Sequence, residues 1–387
     1  MECGRDFSMW VDDSRRWWLR RLLTGGAGIA LAAGSFSRCL LRAQIADDYE
    51  NSMDAADDPA NPVVGAALVP HEAVAAGFAF LAGRQNADGT FGEGFYRENP
   101  AVNSLAGMAF LASGAVPGRD GEYRQVMDRT LRWVTRQIGT RQLAEAGDES
   151  RGPMYSLGFA THFLAECYGM GDSDQLGPVL REAVGWILAA QNAEGGWRYG
   201  LQPEDADISV TACQMMALRA ARNVGVAVPK TAIDRAVRYI RGCQNPDGGF
   251  MYMSSRGGPS AFARSAAAMA SFYVAGVYDD PSMDRGVEYL EQFRPSRAGE
   301  NGKPAEKVEH YYWYGHYYAA MAMWQRGGVA WWRWYPAVRD EIVAQQQRPK
   351  PDGPGRWDDK AISTEFATAC ALITLLTPLE RLPLFQR

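Results

Sequence analysis

The chain has 387 residues, a formal net charge of -5 and an aromatic content of 11%. Its length allows two ordinary domains, although a continuous helical repeat would fill it as one. An acidic chain of this kind disfavours a nucleic-acid partner, because phosphate binding needs a basic surface. The 12 Trp and 17 Tyr residues supply enough aromatic surface for a large apolar interior.

The first 46 residues have the pattern of an export leader. Residues 14–20, SRRWWLR, match the twin-arginine export signal, and a weakly apolar run from Leu22 to Ala33 follows. That run is too short to span a bilayer stably. An amphipathic basic helix at the start of the fold is the alternative. We expect residues 1–46 to direct the chain to the periplasm, and a retained leader would give peripheral membrane association.

The next segment differs in composition from both of its neighbours. Residues 47–63 carry six acidic residues and no basic residue. Such a segment cannot bury enough apolar surface to fold, so we expect a solvated, disordered linker. We extend the linker to residue 70 and place the folded domain over residues 71–387.

A short motif recurs along the rest of the chain. Its copies QNADGTF, QNAEGGW and QNPDGGF begin at Gln85, Gln191 and Gln244, and a stretched version, QRPKPDGPGRW, begins at Gln347. Each copy follows an amphipathic run and precedes an apolar run, so we place it between two helices. The Asp-Gly or Glu-Gly pair tolerates left-handed backbone angles, which ends one helix and reverses the chain.

The spacing of the motif predicts a repeat array. Markers that lie 48 to 54 residues apart are found at Gln85, Gln137, Gln191, Gln244, Gln292 and Gln346. Gln137 and Gln292 lie in degenerate units, which are identified by spacing alone. Six units of two helices each predict an array whose members bury their apolar faces only against one another.

A Gln-x-x-Asp/Glu-Gly-Gly-Trp/Phe repeat of this length resembles that of squalene-hopene cyclases and protein prenyltransferase β subunits, the prenyltransferase and squalene oxidase repeat. The resemblance covers roughly residues 71–387. It implies an all-α fold, an α/α toroid with six inner helices, six outer helices and a central cavity. The motif specifies the fold strongly and the chemistry weakly, because the turns are structural parts.

Three polar residues stand before an apolar run that begins at Val210. They are Asp205, Asp207 and Ser209. The resemblance implies a class II terpene cyclase, which carries Asp-x-Asp-Asp-Thr-Ala at such a helix start, where the middle Asp protonates an alkene. Asp207 corresponds to that catalytic acid and Asp205 to the first Asp, while Ile208 replaces the third Asp and Ser209 the Thr. The alternative from the residues alone is that Asp207 caps the inner helix, and one residue could do both.

The stretch from residue 309 to residue 324 is dense in aromatic side chains. Aromatic faces stabilise cations, and the resemblance implies that cyclases hold carbocations in this way. Packing between inner and outer helices is the alternative. Two further candidates are Arg264, as an anchor for an anionic group, and Trp197 of the third turn. The other candidate ligand contacts are Ser209, His310, Tyr311, Tyr312, Tyr314, His316 and Tyr317. An ion pair with a neighbouring repeat is the alternative role for Arg264.

The sequence offers no metal site. The resemblance to prenyltransferases implies a zinc held by an Asp, a Cys and a His, and His316 stands on the matching helix, but residues 260–270 hold no Asp-x-Cys. The six cysteines, at positions 3, 39, 167, 213, 243 and 370, show no paired metal spacing. His162 lies among apolar neighbours and is interpreted as a hydrogen-bonded core residue. We predict no metal, no cofactor and no disulfide framework.

These observations leave three functions open. The first is a cyclase-like protein that acts on or binds an isoprenoid, or another hydrophobic small molecule, with Asp207 as the proton donor. The second is a non-catalytic toroid that binds a peptide, lipid or glycan. The third is a glycan-active enzyme on a toroid of six helix pairs. The sequence does not specify the ligand or the oligomeric state.

Overall fold

The structure is a computed structural model that describes residues 68–140, 143, 152–171, 175–278, 280–295, 308 and 310–382. The leader predicted over residues 1–46 and the linker up to residue 67 lie outside the described residues. Every element below belongs to one compact unit, Pro59–Arg387. Within the part of the chain that is described, the helices are too short or too polar to cross a membrane.

The described residues form twelve α-helices that alternate between an outer and an inner layer. The outer helices are α1 (His71–Gly83), α3 (Arg124–Gly139), α5 (Leu176–Ala189), α7 (Lys230–Gly242), α9 (Pro281–Glu291) and α11 (Gly328–Ala344). The inner helices are α2 (Pro100–Ser113), α4 (Pro153–Met170), α6 (Ile208–Asn223), α8 (Phe262–Val274), α10 (Tyr312–Arg326) and α12 (Thr364–Leu376).

The distribution of apolar residues assigns each helix to its layer. In α7 the side chains of Ala236 and Ile240 are buried, whereas Lys230 and Arg241 are exposed, as expected for a helix with one wet face. In α2 every residue except Ser113 is buried, because this helix is covered on all sides. The predicted all-α architecture of alternating inner and outer helices is confirmed.

The inner helices form a closed ring. Each packs against the next in chain order, and α12 packs against α2. Two further contacts join the ends of the ring, since Arg84 Nε lies 2.9 Å from Glu365 Oε1 and Gly355 N donates to Ala76 O at 2.9 Å. The chain is therefore a toroid rather than an open array.

A glutamine ties one repeat to the next at four of the six junctions; it is the motif glutamine in three of them and Gln346, just before the stretched motif, in the fourth. Its Nε2 donates to a carbonyl oxygen in the first turn of the following outer helix. The pairs are Gln85 with Val126, Gln191 with Ala232, Gln244 with Ser282 and Gln346 with Ala73, at 2.9, 2.9, 2.8 and 2.8 Å. The last pair joins the sixth repeat to the first, so the same hydrogen bond that links neighbours also closes the ring.

The aromatic residue at the end of the motif ties the turn to the inner helix. Its backbone N–H donates to a polar side chain near the start of that helix. The pairs are Phe91 with Asn103, Trp197 with Thr211, Phe250 with Ser265 and Trp357 with Thr368, at 2.7, 3.1, 2.8 and 3.1 Å. The motif thus fixes both the next repeat and the entry into its own inner helix.

Gly195 is the motif glycine whose replacement should be most informative. Its φ is +101°, and an added Cβ would lie 2.5 Å from the carbonyl oxygen of Arg235 in the next outer helix. We expect Gly195→Ala to lower the free energy of unfolding by about 1–3 kcal/mol, measured by urea denaturation. Gly185→Ala is the matched control, since a Cβ there meets none of the described atoms within 4 Å. Equal losses in the two variants would contradict the proposed contact.

Candidate functional site

The candidate site lies at the end of the ring where the inner helices begin. Outer and inner helices alternate along the chain, so the N-terminal ends of the inner helices share one end of the ring, which we call the mouth. Two contacts between repeats are consistent with this arrangement. Ile208 N at the start of α6 donates to Tyr252 O at 3.1 Å, and the Tyr314 hydroxyl of α10 donates to Ser209 O at 3.2 Å.

Asp207 is the buried acid at the mouth. Its side chain is fully buried and caps α6, with Oδ1 accepting the Val210 N–H at 2.9 Å. Its second oxygen, Oδ2, accepts a hydrogen bond from Arg198 Nη1 at 2.9 Å. The N-cap that the sequence predicted is therefore present, and the same carboxyl group also belongs to an ion pair.

Arg198 connects Asp207 to two tyrosines. Its Nη1 donates to the Tyr252 hydroxyl at 2.8 Å, and that hydroxyl lies 2.5 Å from the Tyr199 hydroxyl. The guanidinium group lies over the Tyr199 and Tyr252 rings, 4.4 and 5.3 Å from their centroids. Its Nε is 3.4 Å from Oδ1 of the half-exposed Asp205. We call Arg198, Tyr199, Asp205, Asp207 and Tyr252 the mouth cluster.

The environment of Asp207 suits a proton donor. Burial raises the pKa of Asp207, and this effect outweighs the opposing hydrogen bond from Val210 and the charge of Arg198. Burial also raises the pKa of Tyr252, to which the charge of Asp207 adds. Burial thus favours the neutral form of Asp207, while the guanidinium group of Arg198 stabilises its ionised form.

The structure brings Tyr314 and Tyr317 of the predicted contacts to the inside of the ring. Tyr314 reaches from α10 to Ser209, beside Asp207. The ring of Tyr317 lies 6.3 Å from that of Phe159 in α4, which stands on the opposite side of the ring. Tyr317 is almost fully buried, and Tyr314 is partly buried. At this level, aromatic side chains fill the centre, where the resemblance implied an open cavity.

Three of the predicted contacts lie between the inner and outer layers instead. His316 packs between Phe262 and Trp334, at centroid distances of 5.0 and 6.1 Å, and burial lowers its pKa to about 4. The Tyr312 hydroxyl donates to Glu341 of α11 at 2.8 Å. The Trp197 Nε1–H donates to Ile187 O of α5 at 2.7 Å. For these side chains the structure favours packing, the alternative raised from the sequence.

The remaining predicted contacts do not join the mouth cluster. Arg264 donates from Nε to Phe250 O at 2.9 Å and from Nη2 to Pro259 O, so it holds a turn rather than an anion or a neighbouring carboxylate. His310 and Tyr311 are exposed just before α10, and Tyr311 has a left-handed φ of 57°. They lie at the rim of the mouth.

Sequence reasoning missed Arg198, Tyr199 and Tyr252. A signal was present, because Tyr199 and Tyr252 both lie two residues after the aromatic residue of the motif, in successive repeats. Superposing the repeats would have placed both hydroxyls at the same depth. The contact of Arg198 with Tyr252 depends on the relative orientation of two neighbouring repeats, which the sequence does not reveal.

The cysteines and acids of the described residues do not gather into a metal site. No group of three or more His, Cys, Asp or Glu side chains with suitable geometry is formed there. Four cysteines, at positions 167, 213, 243 and 370, are buried free thiols. Burial raises the pKa of each of these thiols, so they stay protonated.

Two replacements of Asp207 should separate its cap from its charge. Asp207→Asn keeps an N-cap oxygen, whereas Asp207→Ala removes it. We therefore expect the free energy of unfolding of Asp207→Ala to be about 1 kcal/mol lower than that of Asp207→Asn. Because the folded protein favours neutral Asp207, wild-type stability relative to Asp207→Asn is greatest below the ordinary Asp pKa. That advantage is lost as the pH rises through the raised pKa.

Urea denaturation at several values between about pH 4 and pH 7 measures this difference. Asp205→Asn serves as the control, since that carboxyl group is 42% exposed and should change stability little. A wild-type advantage that grew with pH would mean that the pair with Arg198 dominates over burial.

Comparison with known proteins gives two domain matches. The profile of the squalene-hopene cyclase C-terminal domain matches residues 161–326, and that of the prenyltransferase α/α toroid domain matches residues 66–160. The two matches are adjacent and together extend from α1 to the end of α10.

Two drimenyl diphosphate synthases are among the similar characterised proteins. The protein from Streptantibioticus cattleyicolor is 29% identical over 207 residues, which is 52% of this chain and 36% of that protein. The protein from Streptomyces showdoensis is 27% identical over 203 residues, with the same two shares of 52% and 36%. The matched region thus spans about a third of the length of these relatives.

Two solved structures share the fold. A variant of the type II terpene cyclase MstE from Scytonema, in complex with geranylgeranyl dihydroxybenzoate, has a TM-score of 0.51 and 14% identity over 80% of this chain and 97% of its own. The cellobiose 2-epimerase from Bacillus thermoamylovorans has a TM-score of 0.54 and 12% identity over 77% and 95%. Two unrelated chemistries on one fold mean that these likenesses show architecture alone. The domain matches and the closed ring of helix pairs together show an α/α toroid that is similar to squalene-hopene cyclase and prenyltransferase domains.

Proposed function

We propose that the chain is a class II terpene cyclase-like protein that takes an isoprenoid at the mouth of the ring, with Asp207 as the proton donor. The observation that carries this proposal is a fully buried carboxyl group at the start of an inner helix, with a pKa raised by burial. The drimenyl diphosphate synthases among the similar proteins support the substrate class.

The proposed step is the protonation of an alkene. The O–H bond of Asp207 breaks, and the proton forms a C–H bond with one alkene carbon, which leaves a cation on the other carbon. The ionised Asp207 is then stabilised by Arg198 at 2.9 Å and by the Val210 N–H at 2.9 Å, both already in place. The faces of Tyr314, Phe159 and Tyr317 are available to stabilise the cation.

The mouth cluster also accounts for the missing third Asp. Ile208 stands at that position and is fully buried, so it supplies no charge beside Asp207. Arg198 also lies 3.4 Å from Asp205. Because Asp205 shares the positive charge of Arg198, the guanidinium group stabilises the ionised form of Asp207 less strongly. In this scheme Arg198 and Asp205 together set the acidity of Asp207, while Tyr199 and Tyr252 position the guanidinium group.

A second candidate function is ligand binding without turnover. It is favoured by the contact between Phe159 and Tyr317, which closes the centre of the ring below the mouth. A ligand bound without rearrangement would meet the mouth cluster, Tyr314 and the exposed His310 and Tyr311 at the rim. The cyclase function requires Tyr314 and the aromatic pair to move aside when an isoprenoid enters.

We also propose that the chain is exported by the twin-arginine route to the periplasm or the membrane surface. Residues 14–20 support this, and they lie outside the described residues. Fractionation of cells that express the full chain provides the test, and an entirely cytoplasmic protein would contradict the proposal.

Cyclisation assays test the proposed function. The full-length protein is incubated with squalene, with shorter isoprenoids and, in parallel, with glycans, and products are identified by mass spectrometry. We expect an isoprenoid to be cyclised and Asp207→Asn to lose at least about 100-fold in rate, because a positioned acid contributes about that much or more.

The control is Glu288→Gln, an exposed residue of the outer helix α9, which should keep the wild-type rate. Cyclisation that survives in a folded Asp207→Asn variant would rule out Asp207 as the acid. Ligand binding without any product would favour the second candidate function.

A further inference from the structure

A pocket away from the mouth lies between two neighbouring repeats. It is bounded by the second half of α6, the first turn of α7 and the end of α8, and its volume is about 260 Å³, part of which is open to solvent. Two of its lining residues are the arginines Arg219 and Arg222. Its apolar lining includes Met215, Leu218, Ile233 and Val274. Arg219 lies about 17 Å along α6 from Ile208, so the pocket is separate from the mouth cluster.

The two arginines have no anionic partner among the described residues. Arg219 is half-buried and Arg222 is exposed, and neither guanidinium group makes an ion pair or a side-chain hydrogen bond within the part of the chain that the structure describes. The acids near the starts of α7 and α9 already have basic partners. These pairs are Asp234 with Lys230 and Asp280 with Arg241, both at 2.7 Å. The pocket therefore carries two positive charges that the described acids do not neutralise.

The charge of Arg219 is incompletely solvated. Burial lowers the pKa of Arg219, an effect that Tyr278 opposes and the charge of Arg222 strengthens. Arginine stays protonated in proteins, so this shift indicates an uncompensated charge rather than a neutral side chain. Residues three apart on a helix are neighbours, and two like charges there repel each other. An anion bound between the two guanidinium groups relieves both penalties.

Helix stabilisation explains Arg222 but not Arg219. Arg222 lies in the last turn of α6, where a positive charge interacts favourably with the C-terminal carbonyl groups. Arg219 lies one turn earlier. A long side chain can also extend over apolar surface while its charged end stays in water, but the lowered pKa of Arg219 shows that its charged end is not fully hydrated. A bound anion accounts for the position of Arg219 where these two structural roles do not.

We propose that this pocket is a second binding site, which takes the phosphate group of an amphiphile between Arg219 and Arg222 and the adjoining carbons of that amphiphile against Leu218 and Ile233. A phosphate monoester carries a charge of about -1.5 to -2 at pH 7, which two guanidinium groups balance. The planar guanidinium group also matches phosphate oxygens with paired N–H donors. The site lies outside the mouth and does not depend on the proposed function.

The size of the pocket limits how much of the amphiphile enters. Its volume of about 260 Å³ is below the range of about 300–1,000 Å³ that is usual for drug-sized ligands. The head group and a few carbons fit, while the rest of an alkyl or prenyl chain stays outside. A membrane phospholipid and a free phosphate ester share this head-group chemistry, and the experiments below distinguish them.

Calorimetric titration of the full-length protein with hexyl phosphate, inorganic phosphate and hexan-1-ol tests the site. We expect hexyl phosphate to bind at least about tenfold more tightly than the other two probes, because it alone engages both the arginines and the apolar lining. Arg219→Gln and Arg222→Gln should each weaken hexyl phosphate binding by about tenfold or more. The matched control is Arg238→Gln, which removes an exposed arginine of α7 and should bind as wild type does.

Three results of this titration would overturn the inference. The first is equal affinity for hexan-1-ol and hexyl phosphate. The second is undiminished hexyl phosphate binding in folded Arg219→Gln, or in Arg222→Gln if Arg219→Gln does not fold. The third concerns Asp279, which follows Tyr278 and lies outside the described residues. A tenfold gain in affinity in Asp279→Asn would make the chain's own carboxylate the partner of the arginines.

Thermal unfolding distinguishes a ligand site from a structural arginine. Arg219→Met keeps much of the apolar stem and removes the uncompensated charge, so the unliganded variant should unfold at the same temperature as wild type or higher. Saturating hexyl phosphate should raise the unfolding temperature of wild type and leave that of Arg219→Met unchanged. A clearly lower unfolding temperature of unliganded Arg219→Met, with no effect of hexyl phosphate on wild type, would overturn the inference in favour of a structural role.

Vesicle sedimentation identifies the source of the phosphate group. Phosphatidylcholine vesicles with and without phosphatidic acid are mixed with wild type and with Arg219→Gln. Retention by phosphatidic acid that Arg219→Gln reduces would identify a membrane lipid, and hexyl phosphate binding without such retention would identify a free phosphate ester. Asp207→Asn should bind hexyl phosphate as wild type does, so a failure of the proposed function would leave this site standing.

Discussion

The hydrogen bond from the motif glutamine to the first turn of the next outer helix is the contact on which the architecture depends. It is repeated between neighbouring units and is made once more by Gln346 to Ala73, where the last unit meets the first. The motif also needs its glycine at Gly195, because a side chain there would collide with the backbone of the next outer helix. A two-helix unit cannot bury its inner helix alone, and this tie sets the angle at which the next unit covers it.

The closed ring surrounds two buried carboxyl groups that have different partners. At the mouth, the carboxyl group of Asp207 accepts hydrogen bonds from the Val210 N–H at the start of α6 and from Arg198. Deeper inside, Glu166 has only His162. The aromatic pair of Phe159 and Tyr317 separates the two carboxyl groups in the closed ring.

Local features were predictable from the sequence, and contacts between repeats were not. Turn chemistry and apolar periodicity predicted the helix pairs and the cap at Asp207, because both depend on residues close in the chain. The hydrogen bond from Arg198 to Tyr252 joins residues 54 positions apart and depends on the relative orientation of neighbouring repeats. The aromatic content of α10 did not reveal that His316 faces the outer layer. His162 was interpreted as a hydrogen-bonded core residue; it is buried beside Glu166, but its nitrogens have no hydrogen-bond partner among the described residues.

Amide hydrogen exchange in Gln346→Ala tests ring closure most directly. Gln347→Ala is the control, because that side chain bonds within its own turn to Gln345 O at 3.2 Å. A closed ring predicts that Gln346→Ala accelerates exchange in both α1 and α12, at opposite ends of the sequence, while α6 and α7 keep wild-type protection. Faster exchange confined to α11 and α12, with α1 unchanged, would show that the ends of the array are independent and would contradict the closed ring.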